Sequence, residues 1–417
     1  MHSSRPVVVS LFSGAGGLDI GLEDAGFHVA YCNDIDADCV ATLEANQRLG
    51  LLSRAGFPYL SGALIERADV AEITGESLRS KGVTSDVDLL VGGPPCQPFS
   101  SAGRMRSFRD SRGTLYTHFV RLARELQPRY VLFENVRGLV TARDVDGKPG
   151  SALKAILRDF EQLGYRTNVQ LLNLADFGGW QRRVRAFILM AREYAPPRFP
   201  EPTHQSSKRG ELQLSLSGES DRRRWSTLRE FLAENEDQER EEYCRPTERL
   251  AGLLMNVGDG NGLRSAGTRE TTRPGGHWGY RQGTFIADPN LPARTVTAAS
   301  TQDWIRLADG SLRRLTLREC ARLQYFPRDW AFVGNRASRF RQIGNAVPAN
   351  FGQVLGEAIM THRRDWHERG FLSDPLSVSM PLPSSIEQSI RYTAKEEARN
   401  GDSRRTKVAK GLGNIGG

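Results

Sequence analysis

The sequence predicts a doubly wound α/β domain built on a parallel sheet, with a smaller region of different texture following it. Three observations carry this. The first half alternates short, near-continuous apolar runs with amphipathic stretches, the pattern of strands buried on both faces and spaced by helices. The first apolar run ends in clustered glycines ahead of a helical pattern. Near residue 195 the pattern stops at Pro196, Pro197, Pro200 and Pro202, and residues 203–290 are polar.

In chain order, strands are expected at Val7–Phe12, His28–Asn33, Val87–Val91, Tyr130–Phe133, Val169–Leu174 and Ala186–Met190. Helical periodicity occupies Thr117–Leu126 and Ser151–Leu163. Charge runs follow at Arg222–Arg224 and 234–242, then a Gly-rich stretch, 258–283, carrying isolated arginines, His277 and Trp278. Order returns near Pro292, through the amphipathic Thr316–Leu323 to a helix from Phe351 to about Arg364. Beyond Asp365 the chain is rich in Ser, Pro and Gly and reads as a flexible tail, with a short docking helix near 386–399 as the alternative. The division is therefore 1–195, 196–290, 291–365 and 366–417, with no internal repeat.

The chain has 417 residues, 39% hydrophobic and 25% charged, which is enough apolar material for a sizeable core and excludes a wholly disordered or fibrous protein. No stretch approaches the roughly 18 apolar residues of a membrane span, and no signal-peptide core precedes Val7. A soluble, cytoplasmic protein is the expectation. The five cysteines form no C-x-x-C pair, so neither metal knuckles nor a disulfide framework is expected. The net charge of +8 suits a polyanionic partner without requiring one.

The chemistry begins at Ser13-Gly14-Ala15-Gly16-Gly17, where glycines at a strand's end let a ligand approach the backbone. A dinucleotide site would want G-x-G-x-x-G, but Asp19 stands at the third glycine's place. Asp34 lies just past the second strand, where a carboxylate accepts hydrogen bonds from ribose hydroxyls. Asp69-Val70 sits at the next strand end, suitably for an adenine. A nucleoside without a pyrophosphate fits these facts. Val91-Gly92-Gly93-Pro94-Pro95-Cys96-Gln97-Pro98 then sets a cysteine among three prolines at a strand's end. An arbitrary cysteine is a small buried hydrophobe, whereas this one reads as a nucleophile. Glu134, closing the run Phe133-Glu134-Asn135-Val136, falls at the same sheet edge, where partial desolvation would keep it protonated and able to act as an acid.

With these residues, six motifs in order resemble those of the DNA cytosine-5 methyltransferases of the bacterial modification type. They are Phe12–Gly17, Gly92–Ser100, Glu134–Val136, Gln181–Arg185, Leu317–Pro327 and Gln342–Pro348. The resemblance covers most of residues 7–195 and 291–360. It implies the S-adenosylmethionine-dependent methyltransferase fold: a mixed, mostly parallel, doubly wound sheet with a smaller target-recognition domain. It implies Cys96 as the nucleophile toward carbon 6 of cytosine and Glu134 as the partner of the adjacent ring nitrogen. Arg183 and Arg185 would lie beside the flipped base and its sugar-phosphate, Arg185 reaching the base's carbonyl oxygen. For S-adenosylmethionine it implies Phe12, Ala15, Gly17, Asp34, Ile35, Asp69 and Val70, with Pro95, Leu115 and Asn345 toward the methionine end. No metal is implied.

The implied partner is double-stranded DNA, with a cognate restriction endonuclease acting separately, no membrane, and a monomeric bacterial cytoplasmic protein. Residues 196–290 would read the target, Arg222–Arg224 on phosphate and Arg264, Arg269, Arg273 and Arg281 toward bases. Departures are Gly179-Trp180, where relatives often have Val-Pro, and Val184 in place of a common glutamate. A zinc deaminase is excluded, because no histidine has Glu two residues on and Cys96 has no cysteine three residues away. Two other readings stay open: the tRNA-methylating branch of the family, and a catalytically inactive DNA-binding regulator.

Overall fold

The computed structural model describes residues 5–83, 86–95, 115–144, 146–192, 195–206, 222–235, 243–263, 284–369 and 379–396. Its first half is built from β1 (Val7–Leu11), α1 (Gly17–Asp24), β2 (His28–Asp34), α2 (Ala37–Leu49), β3 (Leu64–Arg67), α3 (Gly75–Ser80) and β4 (Leu89–Gly92). It continues with α4 (Leu115–Leu126), β5 (Tyr130–Val136), α5 (Ser151–Gln162), β6 (Tyr165–Asn173), β7 (Gln181–Arg182) and β8 (Val184–Arg192). The main sheet has the order β3-β2-β1-β4-β5-β8-β6. β3, β2, β1, β4 and β5 are mutually parallel, and β8 runs antiparallel between β5 and β6. This is the mixed, mostly parallel, doubly wound sheet expected.

Alternate residues feed two cores. Val8, Leu89, Val91 and Leu132 face one layer of helices, while Val9, Leu11, Leu90, Val131 and Phe133 face the other. All are fully or almost fully buried, each contributing about 1.5–3 kcal/mol by leaving water. On α5, Leu153, Ile156 and Phe160 recur at helical spacing and close the second core. α2 begins where the Asp36 carboxylate accepts from the Asp38 amide and ends at Gly50, whose φ of 65° closes the helix in the left-handed region.

Some strands differ in extent from the sequence expectation. β5 continues through Glu134, Asn135 and Val136, and β6 starts four residues early, because Tyr165 and Thr167 alternate inward with Val169.

The polar region contributes β9 (His204–Gln205), β10 (Arg223–Arg224), α6 (Leu228–Asn235), α7 (Glu248–Leu254), β11 (Asn261–Gly262), β12 (Phe285–Ile286), β13 (Ala293–Arg294), β14 (Trp304–Arg306) and β15 (Leu312–Arg314). A small sheet, β11-β12-β14-β15, encloses its own core of Leu254, Ile286, Trp304 and Leu312. This sheet runs past residue 290, so the segment expected to return to the catalytic domain first completes the smaller one.

Then come α8 (Leu317–Leu323), α9 (Arg336–Asn345) and α10 (Ala349–Arg369). α10 packs on α1 so closely that a Cβ on Gly21 would meet the Ala349 carbonyl and one on Gly17 the Val347 carbonyl. The expected flexible tail is ordered in part. α10 runs to Arg369, and residues 384–396 form a helix that buries Ile386 in the second core. Among the described residues no helix is long and apolar enough to cross a membrane.

Candidate active site

The parallel register lines up the expected site residues. Leu11 pairs with Asn33 and with Gly92, and Gly92 pairs with Phe133. One step further, Phe12, Asp34, Gly93 and Glu134 therefore form the next row, at the carboxyl ends of four adjacent strands. This is where ligands bind in open parallel sheets. Asp69 lies just past the end of β3.

At the β1–β2 end, Phe12 takes φ 57° and Gly14 φ 57°, turning the chain back over the sheet. The Gly14 amide donates to Asp34 Oδ2 at 2.9 Å, and the Asp36 amide donates to Oδ1 at 2.9 Å. Those amides orient the carboxylate, and each oxygen keeps a lone pair able to accept a hydroxyl hydrogen. Burial raises the Asp34 pKa, and the two amides hold that rise back. Ile35 stands 64% exposed beside it, an apolar side chain left largely open to solvent. Asp69 accepts from the Ala71 amide at 2.9 Å, and Val70 is buried. A Cβ built on Gly14 meets nothing within 4 Å, so the turn borders open space. Ala15 and Gly17 are buried under the turn, toward α10, whereas Pro95 and Asn345 are exposed and Leu115 is half-buried at the start of α4. The open turn, the oriented carboxylate and the bare Ile35 fit a nucleoside with its ribose hydroxyls on Asp34 and its base on Ile35.

At the β4–β5 end, Glu134 is buried and its Oε1 lies 3.2 Å from Arg185 Nε. Desolvation raises its pKa, while Arg185 and, more weakly, Arg183 oppose the rise. A Cβ on Gly93 would lie 2.6 Å from Glu134 Oε2, so a side chain there would push the carboxylate aside. Asn135 donates to the Pro94 carbonyl at 3.2 Å, tying the strand that carries Glu134 to the loop that leads to Cys96. Cys96 itself lies outside the described residues, as do Arg264, Arg269, Arg273 and Arg281.

Arg183 and Arg185 part company. Arg185, at the Val136 pairing position of β8, faces Glu134. Arg183 is fully buried and donates to the carbonyls of Val296 (3.0 Å), Gly344 (2.9 Å) and Ala346 (2.7 Å). Burial and the neighbouring Arg185 lower its pKa, and Glu134 offsets part of that cost. Gln181 extends this lattice, donating to the Leu323 carbonyl (2.6 Å) and to Gln324 Oε1 (2.7 Å) and accepting from the Val296 amide (3.1 Å). Gln324 in turn donates to the Ile343 carbonyl at 2.6 Å. The lattice binds the strand carrying Arg185 to the segment carrying Asn345. Sequence reasoning assigned no role to Gly93, Asn135, Gln181 or Gln324. They stand inside the quoted motifs, but nothing local to a motif names their partners.

Arg222 lies 3.7 Å from Glu201 and Arg224 pairs with Glu230, both on the surface. Two of the three arginines expected on phosphate are thus matched to carboxylates of the chain itself.

A mostly parallel sheet with one antiparallel strand inserted beside its edge, a nucleoside-shaped turn at β1–β2 and a Glu–Arg pair at β5–β8 define an α/β methyltransferase. Residues 7–361 match the model of the C-5 cytosine-specific DNA methylases, and the chain belongs to that family. Relatives of the bacterial modification type accompany it. It is 32% identical to the type II methyltransferase M.PspPI of Psychrobacter sp. over 85% of this chain and 78% of that protein. It is 31% identical to the type II methyltransferase M.Eco47II of Escherichia coli over 85% and 78% respectively. Among solved structures, the Dnmt2 methyltransferase of S. pombe shares the fold with TM-score 0.57 and 17% identity, over 86% of this chain and 99% of that one. The Entamoeba histolytica methyltransferase EhMeth does so with TM-score 0.58 and 14% identity, over 87% and 99%.

Proposed function

We propose that the chain methylates carbon 5 of a cytosine within a specific double-stranded DNA sequence, with S-adenosylmethionine as donor and a transient covalent bond to Cys96. The observation that carries this is the row Phe12–Asp34–Gly93–Glu134, which puts a nucleoside-shaped turn and a desolvated acid with its arginine on one sheet edge.

The donor supplies an electrophilic methyl group when bound. Asp34 would hold its ribose hydroxyls, Ile35 and Val70 its adenine with Asp69 at the edge, and Phe12, Ala15, Gly17, Pro95, Leu115 and Asn345 the rest. The target base must leave the duplex stack, since carbon 6 is shielded within it. The Cys96 thiolate adds to carbon 6, forming the S–C bond and pushing the 5,6 π-pair onto carbon 5 and the ring. Glu134, whose affinity for a proton burial raises, would bond the ring nitrogen where negative charge collects. Arg185 donates to the base's carbonyl oxygen while steadying Glu134. Carbon 5, now nucleophilic, would take the methyl group as its bond to the donor sulfur breaks, the donor leaving as a neutral thioether. Loss of its proton to solvent then re-forms the double bond and expels the thiolate. Arg183, committed to three backbone carbonyls, acts as a positioning residue that fixes the strand under Arg185.

The test uses Cys96→Ala with radioactive S-adenosylmethionine and duplex DNA. The expected result is complete loss of label transfer with donor binding retained. Label still entering the duplex would overturn the covalent mechanism, and transfer by the parent chain to tRNA instead of duplex would overturn the DNA reading.

A further inference from the structure

Just past β3 the chain turns through Asp69-Val70-Ala71-Glu72-Ile73-Thr74, and the aim of the Asp69 carboxylate depends on what holds that turn. Inside it, the Ala71 amide donates to Asp69 Oδ1 and the Glu72 amide to the Asp69 carbonyl, both at 2.9 Å. Ala71, Glu72 and Thr74 are exposed, whereas Val70 and Ile73 are buried in the second core. On the side of β2, Asn33 Nδ2 donates to the Ala68 carbonyl at 3.0 Å, and the Ala68 amide to the Asp34 carbonyl at 3.3 Å.

The other side of the turn is held by α4. Arg121 Nη2 donates to two carbonyls, that of Val70 at 3.0 Å and that of Ile73 at 2.8 Å. Its Nη1 donates to Glu125 Oε1 at 2.9 Å, and Glu125 Oε2 accepts from the Gly75 amide at 2.7 Å. One planar fork thus grips both ends of the turn and its own carboxylate, a set of directions that an ammonium does not match. The helix beneath is firmly seated. Phe119 meets both Phe133 and Phe160 edge to face, and a Cβ on Gly92 would stand 2.8 Å from its ring.

We propose that Arg121, backed by Glu125, is a positioning residue for recognition of the donor's base: it fixes Asp69 so that the second carboxylate oxygen accepts from an exocyclic amine, which selects adenine over hypoxanthine. This rests on Asp69 and Val70 being the contacts of the adenine edge. Adenine offers an amino group at that edge, where hypoxanthine offers a carbonyl oxygen that a carboxylate repels. A turn that has lost its grip loses the bond to adenine and gives up nothing toward hypoxanthine, so the effect is specific to the base.

The experiment titrates S-adenosylhomocysteine, and its analogue with hypoxanthine in place of adenine, into the full chain and its Arg121→Gln, Arg121→Lys, Glu125→Gln and Arg124→Gln variants. Arg124 is exposed on the same helix and serves as the control for lost charge. The parent chain should prefer the adenine ligand. Arg121→Gln should weaken that ligand by about tenfold or more, the scale of one hydrogen bond to a charged group, with little change for the analogue. KM for S-adenosylmethionine should rise in step while kcat changes far less. Arg121→Lys should regain part of the preference, Glu125→Gln lose part of it and Arg124→Gln keep it. If Arg121→Gln does not fold, Arg121→Lys and Glu125→Gln carry the same comparison. Equal weakening of both ligands, or an undiminished preference, would overturn the positioning role and leave the donor reading intact. A parent chain that binds both ligands equally would overturn the adenine-edge assignment, and one that binds neither would overturn the donor reading itself.

Discussion

Gly93 shows how little room the catalytic row leaves. Any side chain there meets the carboxylate of Glu134, and because that carboxylate is the movable partner, it would swing away from Arg185. Gly93→Ala is therefore expected to fold and to bind the methyl donor, but to transfer methyl on the order of 10²-fold more slowly, the cost of misplacing a reacting group by about an ångström. Single-turnover rates beside donor titrations check this, and a wild-type rate would show that Glu134 is not held by this contact. Asn135 works from the other side, joining its strand to Pro94 by one hydrogen bond.

Among the elements, α1 carries a cost that the site does not explain. Asp19 and Glu23, one turn apart, are both buried in the main core. Neither Asp19 oxygen has a hydrogen-bond partner of normal geometry, although the Ser10 hydroxyl and its own amide lean toward it. Glu23 accepts from the Leu60 amide at 2.7 Å and lies 3.8 Å from Arg5. Desolvation raises their pKa values to about 6 and about 7. The folded chain binds these protons more tightly than the unfolded chain, so the two groups' contribution to stability is greatest below pH 4. It falls as pH rises through about 7 and levels off above. For Asp19 the rise of about two units corresponds to roughly 3 kcal/mol. Urea melts across pH 4–8 should show that decline, and Asp19→Asn should flatten its lower part. A parallel decline in the variant would refute the assignment.

At this same scale the limits of sequence reading are plain. Strands β1, β2, β4, β5 and β8 were legible as near-continuous apolar runs, and β6 through the apolar residues of its second half. β3, with Glu66 and Arg67 in four residues, was placed only as a strand end before Asp69, without bounds. β5 was cut short at Phe133 because its last residues are polar, although they are buried for the site's sake. The row Phe12–Asp34–Gly93–Glu134 was legible through its motifs. The lattice of Gln181, Arg183 and Gln324 was not, because its partners are backbone carbonyls more than a hundred residues away, which no local pattern announces.

For the whole molecule, the small sheet sets which residues an exchange of the proposed target-recognition region must carry. Residues 196–290 contain β11 and β12, but their partners β14 and β15 lie at 304–314. Inside it Arg294 lies over Phe285 and Arg314 over Trp304, with Arg294 also 3.3 Å from Asp303. An exchange of 196–290 alone would split that core. Exchange of 196–314 for a relative's segment is expected to give a folded protein that methylates the relative's sequence. Bisulfite sequencing of DNA from expressing cells checks this, and an unaltered site would remove the region from that role.

The contact between α1 and α10 has a consequence for how the molecule comes into being. The helix that follows the first glycine turn is covered by α10 and the residues just before it, from far along the chain, and Thr42 of α2 meets Gln342 at 2.7 Å across 300 residues of chain. During synthesis the amino-terminal half must wait on the ribosome with its groove for α10 unfilled, since closing so long a loop cannot precede the arrival of its far end. On the proposed reading, binding of the methyl donor is thus acquired only once α10 has been made.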